Sequence, residues 1–220
     1  MAGTWELNRP RHGRRSVLRL IAASAVIVGL PGLSVPPAHA AGVAEARQSI
    51  AELYNALTRA MRTGGSFRQH FDMLAPVIDR VFDLNTILQT SVGLRWNSLD
   101  EGSRQTLFNV FRAFTIASYT ANFDKDGGER FEVLPQTRMS GPDIVVESRL
   151  IPSNGDAIRI DYVTRAARVV DVLLDGSISR VAVQRSDFRS LLASGSPAPL
   201  IDSLKRKVAD LSGGTMQAGP

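Results

Sequence analysis

Apolar positions recur every three to four residues through the first half of the chain and every second residue through much of the second half. Ile50, Leu53, Tyr54, Leu57 and Met61 define one face of a helix over Ala44 to Arg62, which Gly64-Gly65 ends. Ser66 starts a second helix carrying Phe67, Phe71, Leu74, Ile78, Val81 and Phe82, with Pro76 placed to kink or divide it. Asp83 to Leu94 reads as a connector with a brief helix around Leu84, Ile87, Leu88 and Val92. Ser98-Leu99-Asp100-Glu101 has the form of a capping box and opens a long helix to about Phe123. Leu107, Phe108, Phe111, Phe114, Tyr119 and Phe123 share its broad apolar face. Asp124-Lys125-Asp126-Gly127-Gly128 stops it.

The period then falls to two. Strands are expected over Glu129–Leu134, Ile144–Ile151, Ala157–Arg165 and Arg168–Leu174, with a hairpin turn at Ser153-Asn154-Gly155-Asp156. Their short links favour an antiparallel meander over parallel βαβ units. A helix over about Ser179 to Ala193 follows, Ser196-Pro197-Ala198-Pro199 breaks it, and a last helix runs from Leu200 to Leu211. Helices, then strands, then helices predict an α+β domain: one curved four-stranded antiparallel sheet covered by helices.

The first forty residues stand apart. A basic start (Arg9, Arg11, Arg14, Arg15) leads into an apolar run from Leu20 to Leu30, then prolines and the small-residue triplet Ala38-His39-Ala40. This is the layout of a cleaved export signal, 1–40, with cleavage expected before Ala41. Eleven apolar residues span about 16 Å as a helix, half of a bilayer's hydrocarbon core. Arg14-Arg15-Ser16-Val17-Leu18 matches a twin-arginine signal, so the twin-arginine and general secretory routes both fit. A periplasmic destination follows, with a mature domain over 41–212 and a disordered tail over 213–220.

That segment changes the meaning of the charge. The whole chain is basic, with 26 Lys+Arg against 21 Asp+Glu. Residues 1–40 remove five arginines and one glutamate, leaving 21 basic and 20 acidic residues. A nearly neutral mature chain gives no footprint for nucleic acid. The absence of cysteine excludes disulfides, thiolate catalysis, Cys-ligated metals and lipoprotein acylation.

Candidate chemistry is sparse. His70, expected at a helix surface, has no metal-ligand cluster around it, so no metal, cofactor or catalytic set is expected. Asp161 and Asp171 fall on adjacent strands and could form a carboxylate pair with a shifted pKa, or a solvated outer face paired with Arg159 or Arg168. The apolar faces form either a filled core or a ligand cavity.

The ordered parts of the mature chain resemble the MlaC family, periplasmic lipid-binding proteins of lipid-trafficking ABC systems. They are the aromatic helix (Phe108, Phe111, Phe114, Tyr119, Phe123), then Arg159-Ile160-Asp161-Tyr162 with Arg165, then Val170-Asp171-Val172 running into Asp175-Gly176, then Arg185-Ser186-Asp187-Phe188 with Leu191-Leu192. Val170 stands where the family often has an aromatic, and Gly176-Ser177-Ile178-Ser179 replaces a Gly-Val-Ser turn. That variant is closer to HpnM, the hopanoid-associated branch.

The resemblance implies an NTF2-like or MlaC-like fold with an apolar lipid pocket between sheet and helices, and no catalysis. The residues expected to line it are Phe71, Phe82, Leu88, Phe108, Phe111, Phe114, Tyr119, Phe131, Val133, Ile144, Val146, Ile160, Tyr162 and Val172. The implied ligand is a phospholipid or a hopanoid, carried between inner and outer membranes. The implied partners are an inner-membrane ABC/MCE-type complex and an outer-membrane acceptor, with transient membrane contact. Two rival readings remain: a small-molecule isomerase or lyase using Asp161 or Tyr119 as acid/base, and a non-catalytic envelope adaptor.

Overall fold

The computed structural model describes residues 37–218. The expected export signal therefore lies outside the described residues, except its last four positions, which fall in the first turn of the first helix. The described residues form six α-helices and one sheet. Helix α1 (Pro37–Thr63) buries Ala46, Ile50, Leu53, Tyr54, Leu57, Ala60 and Met61. Gly64 ends it at φ +64°, a left-handed conformation that glycine adopts without steric penalty.

A capping box does exist, at Ser66. The Ser66 hydroxyl accepts from the Gln69 N–H, and Gln69 Oε1 accepts from the Ser66 N–H at 2.8 Å. It starts α2 (Phe67–Val81), which Pro76 does not divide. Pro76 removes one backbone donor on the exposed side, while buried Leu74 and Ile78 hold the helix in register on the other. Helix α3 (Leu84–Val92) is capped by Asp83, whose carboxylate accepts from the Thr86 N–H at 3.0 Å and the Thr86 hydroxyl at 2.7 Å.

The box expected at Ser98 is not formed. Ser98 closes a 3-10 turn (Gly93–Ser98), donating to the Arg95 carbonyl at 2.8 Å. Asp100 caps α4 (Glu101–Asn122) instead, accepting from the Ser103 N–H at 2.8 Å and the Ser103 hydroxyl at 2.6 Å. A carboxylate adds favourable charge at the positive end of the helix, and a serine hydroxyl adds none.

The sheet has five strands, not four, in the order β1-β2-β3-β4-β5, all antiparallel. They are β1 (Arg130–Ser140), β2 (Asp143–Ile151), β3 (Ile158–Arg165), β4 (Arg168–Leu174) and β5 (Ile178–Ser179). The fifth strand has two residues, paired with Leu173 and Leu174, too few to leave a period-two pattern. β1 continues six residues past the expected end at Leu134, because a register shift between Val133 and Thr137 absorbs Pro135, which has no N–H to give the ladder. The β3–β4 hairpin turns on Ala166 and Ala167, at φ +46° and +59°, without glycine or asparagine.

Register Val146↔Tyr162↔Val172 places these three in one row, flanked on the same face by Ile144, Ile160 and Ser148. Helix α1 lies on that inner face against β1, β2 and β3. Helix α4 packs on α2 and α6, and α5 (Arg180–Leu191) joins α3 to β4. Helix α6 is Ala198–Leu211; beyond it the Gly214 N–H donates to the Ala209 carbonyl at 2.8 Å. Arg168 ties the α2–α3 junction to the sheet, donating to the Asp79 and Phe82 carbonyls at 2.9 and 2.5 Å. The Asp83 N–H adds a bond to the Val169 carbonyl at 2.9 Å.

The Asp83 cap at that junction should make its stability depend on pH. Burial pushes the Asp83 carboxyl up, but the Thr86 hydrogen bonds and the charges of Arg168 and Arg165 outweigh it, so the pKa lies below the ordinary value. The charged cap is present in full above the unfolded carboxyl's pKa and is lost as pH falls through the lower folded one. Asp83→Asn should therefore flatten the stability profile below about pH 4. An unchanged acid limb in thermal melts would show that the cap charge carries no stability.

Candidate functional site

The inner sheet face and the helices over it are joined by aromatic rings. Tyr54 of α1 stacks on Phe131 of β1, centroids 4.5 Å apart at 19°, and meets Tyr162 of β3 edge-on at 5.9 Å. Phe131 contacts Phe123, just past α4, at 5.3 Å. Phe123 contacts Tyr119 at 6.3 Å, and Tyr119 reaches Phe82, just past α2, at 5.4 Å. Six rings thus run from the sheet to the α2–α3 junction. The turn between the aromatic helix and β1 brings Phe123 and Phe131 together, eight residues apart in sequence.

The phenols are buried polar groups and need partners. Tyr54 and Ser148 hydroxyls are 2.6 Å apart, and the Ser148 hydroxyl donates to the Ile160 carbonyl. Burial pushes the Tyr54 phenol up to about 12, and the charge of Asp161 adds to that, against the Ser148 and Tyr162 hydrogen bonds. Tyr119 is raised by burial first and by Tyr54 next, with Arg180 opposing. Tyr162 is raised by burial first and by its two phenol neighbours next. All three stay neutral near pH 7, far from the pKa a general acid or base needs there.

The carboxylates sit elsewhere and do separate work. Asp161 points to the outer face of the sheet, as its alternation implies, yet its side chain is fully buried. Arg159 covers it through Nε at 3.0 Å and Nη2 at 2.8 Å, and Arg138 Nη2 approaches at 3.2 Å. Arg159 also reaches Glu147 at 3.2 Å. Arg168, the other expected partner, is engaged at the α2–α3 junction. Asp171 holds the start of α5: it accepts from the Val181 N–H at 3.1 Å and the Ser179 hydroxyl at 2.5 Å. The two carboxylates do not form a catalytic pair, and neither lacks a partner.

The MlaC protein family model matches residues 47–206, nearly three quarters of the chain. The chain belongs to the MlaC family. No curated protein matches it. Among solved structures it is similar to a phospholipid-binding protein from Ralstonia solanacearum, determined in complex with a phospholipid. The TM-score is 0.64 at 18% identity, covering 78% of this chain and 98% of that one. At that identity the likeness establishes the fold.

Within this MlaC domain the expected pocket residues divide. Phe82, Tyr119, Phe131 and Tyr162 belong to the ring chain, and Val146, Val172, Ile144 and Ile160 flank Tyr162 on the inner face. Val133 lies on β1 at the register shift, and Phe71 and Leu88 are buried on α2 and α3. The other aromatics of α4 point away from one another. Phe111 meets Phe188 of α5 edge-on at 6.4 Å, and Phe114 lies 5.5 Å from the Lys207 ammonium of α6. Phe108 lines a separate open surface pocket of about 310 Å³ with Asn85, Trp96, Glu101, Arg104 and Gln105.

Tyr54, Phe123 and Ser148 were not among the expected lining residues. Tyr54 signals only an apolar helix position, and its partner Ser148 is 94 residues away. His70, expected at a helix surface, is buried at 2% exposure. Among the described residues no group of carboxylates and histidines could hold a metal, and no helix is long and apolar enough to cross a membrane.

Proposed function

We propose that this MlaC-family chain is a non-catalytic periplasmic lipid carrier that holds a phospholipid or hopanoid-type lipid between its helices and the inner sheet face. Membership of the family over residues 47–206 carries the reading. The distribution of burial supports it. Phe131, Val133, Ile144, Val172 and Tyr119 are only half-buried, although all lie on the inner sheet face or the ring chain. A core closed on itself hides such side chains. The phospholipid held by the Ralstonia solanacearum neighbour points to the ligand class. Val170 and the Gly176–Ser179 turn favour the hopanoid-associated HpnM branch.

A lipid with about 30 buried CH₂ groups, at ~0.8 kcal/mol each, pays too much to cross water unaccompanied. A carrier must enclose nearly all of that surface, and the bilayer offers a similar gain. Direction then comes from partners: an inner-membrane ABC/MCE-type complex and an outer-membrane acceptor, met through transient membrane contact. The export pattern of residues 1–40 fits a periplasmic site of action, and the nearly neutral mature chain avoids sticking to anionic lipid.

Organic extraction of freshly purified mature protein, followed by mass spectrometry, should release about one lipid per chain. Protein that is folded, monodisperse and free of lipid would overturn the reading. The mass of the released lipid separates a diacyl phospholipid from a polycyclic hopanoid.

A further inference from the structure

Leu94 is the most exposed large apolar side chain among the described residues, at 88%. It belongs to the 3-10 turn between α3 and α4, followed by exposed Arg95 and half-buried Trp96. A partner protein would need a pocket built to receive such a projection, whereas a bilayer interface yields to it. Three guanidiniums flank it. Arg95 is next along the chain, Arg104 lies 5.7 Å from the Trp96 ring, and Arg185 of α5 covers Gly93, its Nε 3.2 Å from where a Cβ would stand. The ion pairs among the described residues involve none of the three. The nearby acids are placed otherwise. Asp100 and Glu101 begin α4, whose positive end faces them, and Asp100 also accepts from the Ser103 N–H and hydroxyl. Asp187 lies about 200° round α5 from Arg185. The backbone of the turn is closed as well. The Arg95 carbonyl accepts from the Ser98 hydroxyl at 2.8 Å, the Trp96 carbonyl from the Leu99 N–H and Arg104 Nε at 3.2 Å each, and the Asn97 carbonyl from Arg104 Nη2 at 3.2 Å. A turn so satisfied can lie against acyl chains without stranding these carbonyls.

We propose that the turn carrying Leu94 and Trp96 is the surface through which this chain touches a membrane, with Arg95 and Arg185 held at anionic lipid headgroups. This rests on the lipid-carrier reading above, which requires membrane contact and leaves its place open. Indole rings settle at headgroup depth, and an arginine can bury its stem while its charge reaches the phosphates. One leucine, one tryptophan and three arginines hold a surface weakly enough to release it. The near-zero net charge of the mature chain keeps the rest of the surface from competing with this turn.

Trp96 is the only tryptophan after residue 40, so the fluorescence of mature protein reports on this turn directly. Vesicles of phosphatidylcholine with about one third phosphatidylglycerol should shift the Trp96 emission to the blue, and brominated acyl chains should quench it. Leu94→Asp should weaken vesicle binding at least about tenfold, the scale of burying one leucine. Arg95→Gln and Arg185→Gln should each weaken it about fivefold. All three side chains are exposed, so the melting midpoint and the extracted lipid should stay as in the wild type. No emission change with these vesicles leaves the turn to a protein partner and overturns the proposal. Binding that Leu94→Asp leaves intact overturns it too, as does equal binding to phosphatidylcholine alone. Organic extraction keeps the two failures apart. Lipid-bearing protein with an unmoved Trp96 emission fails this proposal alone, and protein without lipid fails the carrier reading whatever Trp96 does.

Discussion

Phe111→Ala should destabilise the domain by about 3–5 kcal/mol, the range for emptying a fully buried aromatic site. Phe111 is 1% exposed and is the largest fully buried side chain. It stands edge-on to Phe188, at 89°, across the contact between α4 and α5. Helix α5 in turn begins on Asp171 of β4, so the cavity would open where the helical layer is fastened to the sheet. For a domain of this size about 1 kcal/mol moves the midpoint by 2–4 °C, so a fall of roughly 10 °C is expected. The same variant separates packing from ligand contact. Phe111 makes its ring contact with Phe188 of α5 and with none of the six rings above, so folded Phe111→Ala protein should keep its lipid load. A change of less than about 1 kcal/mol would show that the site collapses without a cavity. A folded variant that lost its lipid would place Phe111 in the pocket after all.

This distinction was not legible in the sequence. Residues three apart on a helix differ by about 60° around its axis, so Phe108, Phe111 and Phe114 sweep roughly 120° in two steps. Apolar periodicity records all three as one broad face. The structure sends them to a surface pocket, to Phe188 and to Lys207. Where a single face is buried, periodicity served well. The α1 stripe and the alternation in β3 and β4 lie almost where the pattern places them, because one wrong register would turn every apolar side chain outward.

The failures were local competitions between similar signals. Ser98-x-x-Glu101 and Asp100-x-x-Ser103 overlap, and only the folded chain shows that Leu99 is drawn into the core, leaving Asp100 at the helix start. Pro135 reads as the end of a strand, because a bulge that tolerates it needs β2 as a partner. Ala166-Ala167 carries no turn signature and is held by the strands on either side. The Tyr54–Ser148 hydrogen bond was invisible for a related reason: it exists only once α1 lies on β2.

Asp161→Ala should cost about 3 kcal/mol, the low end for removing one member of a buried ion pair. What covers the carboxylate sets the size of the loss. Strand alternation puts Asp161 on the outer face, where a solvated pair would contribute little. The structure buries it completely beneath Arg159 and Arg138, which keep 47% and 41% of their own side chains exposed. Removing the carboxylate leaves two guanidiniums facing each other with Glu147 as their remaining counter-charge, Arg159 at 3.2 Å and Arg138 at 3.8 Å. Their exposed halves recover water, which keeps the loss at the low end. Arg138 also donates to the Gly176 carbonyl at 3.2 Å, so the loss should spread to the turn between β4 and β5. That turn is tight: a Cβ on Gly176 would sit 2.7 Å from Arg159 Nε. Amide exchange should therefore quicken at Ser177–Ser179 in Asp161→Ala and stay unchanged in α1. Asp161→Asn, which keeps one acceptor, should lose less. These outcomes also separate the carrier from an enzyme. An acid or base held by two arginines has its lone pairs spent on them, so Asp161→Asn should lower stability and leave lipid content as it was. Lipid loss without a stability change would move Asp161 from the scaffold into the binding site.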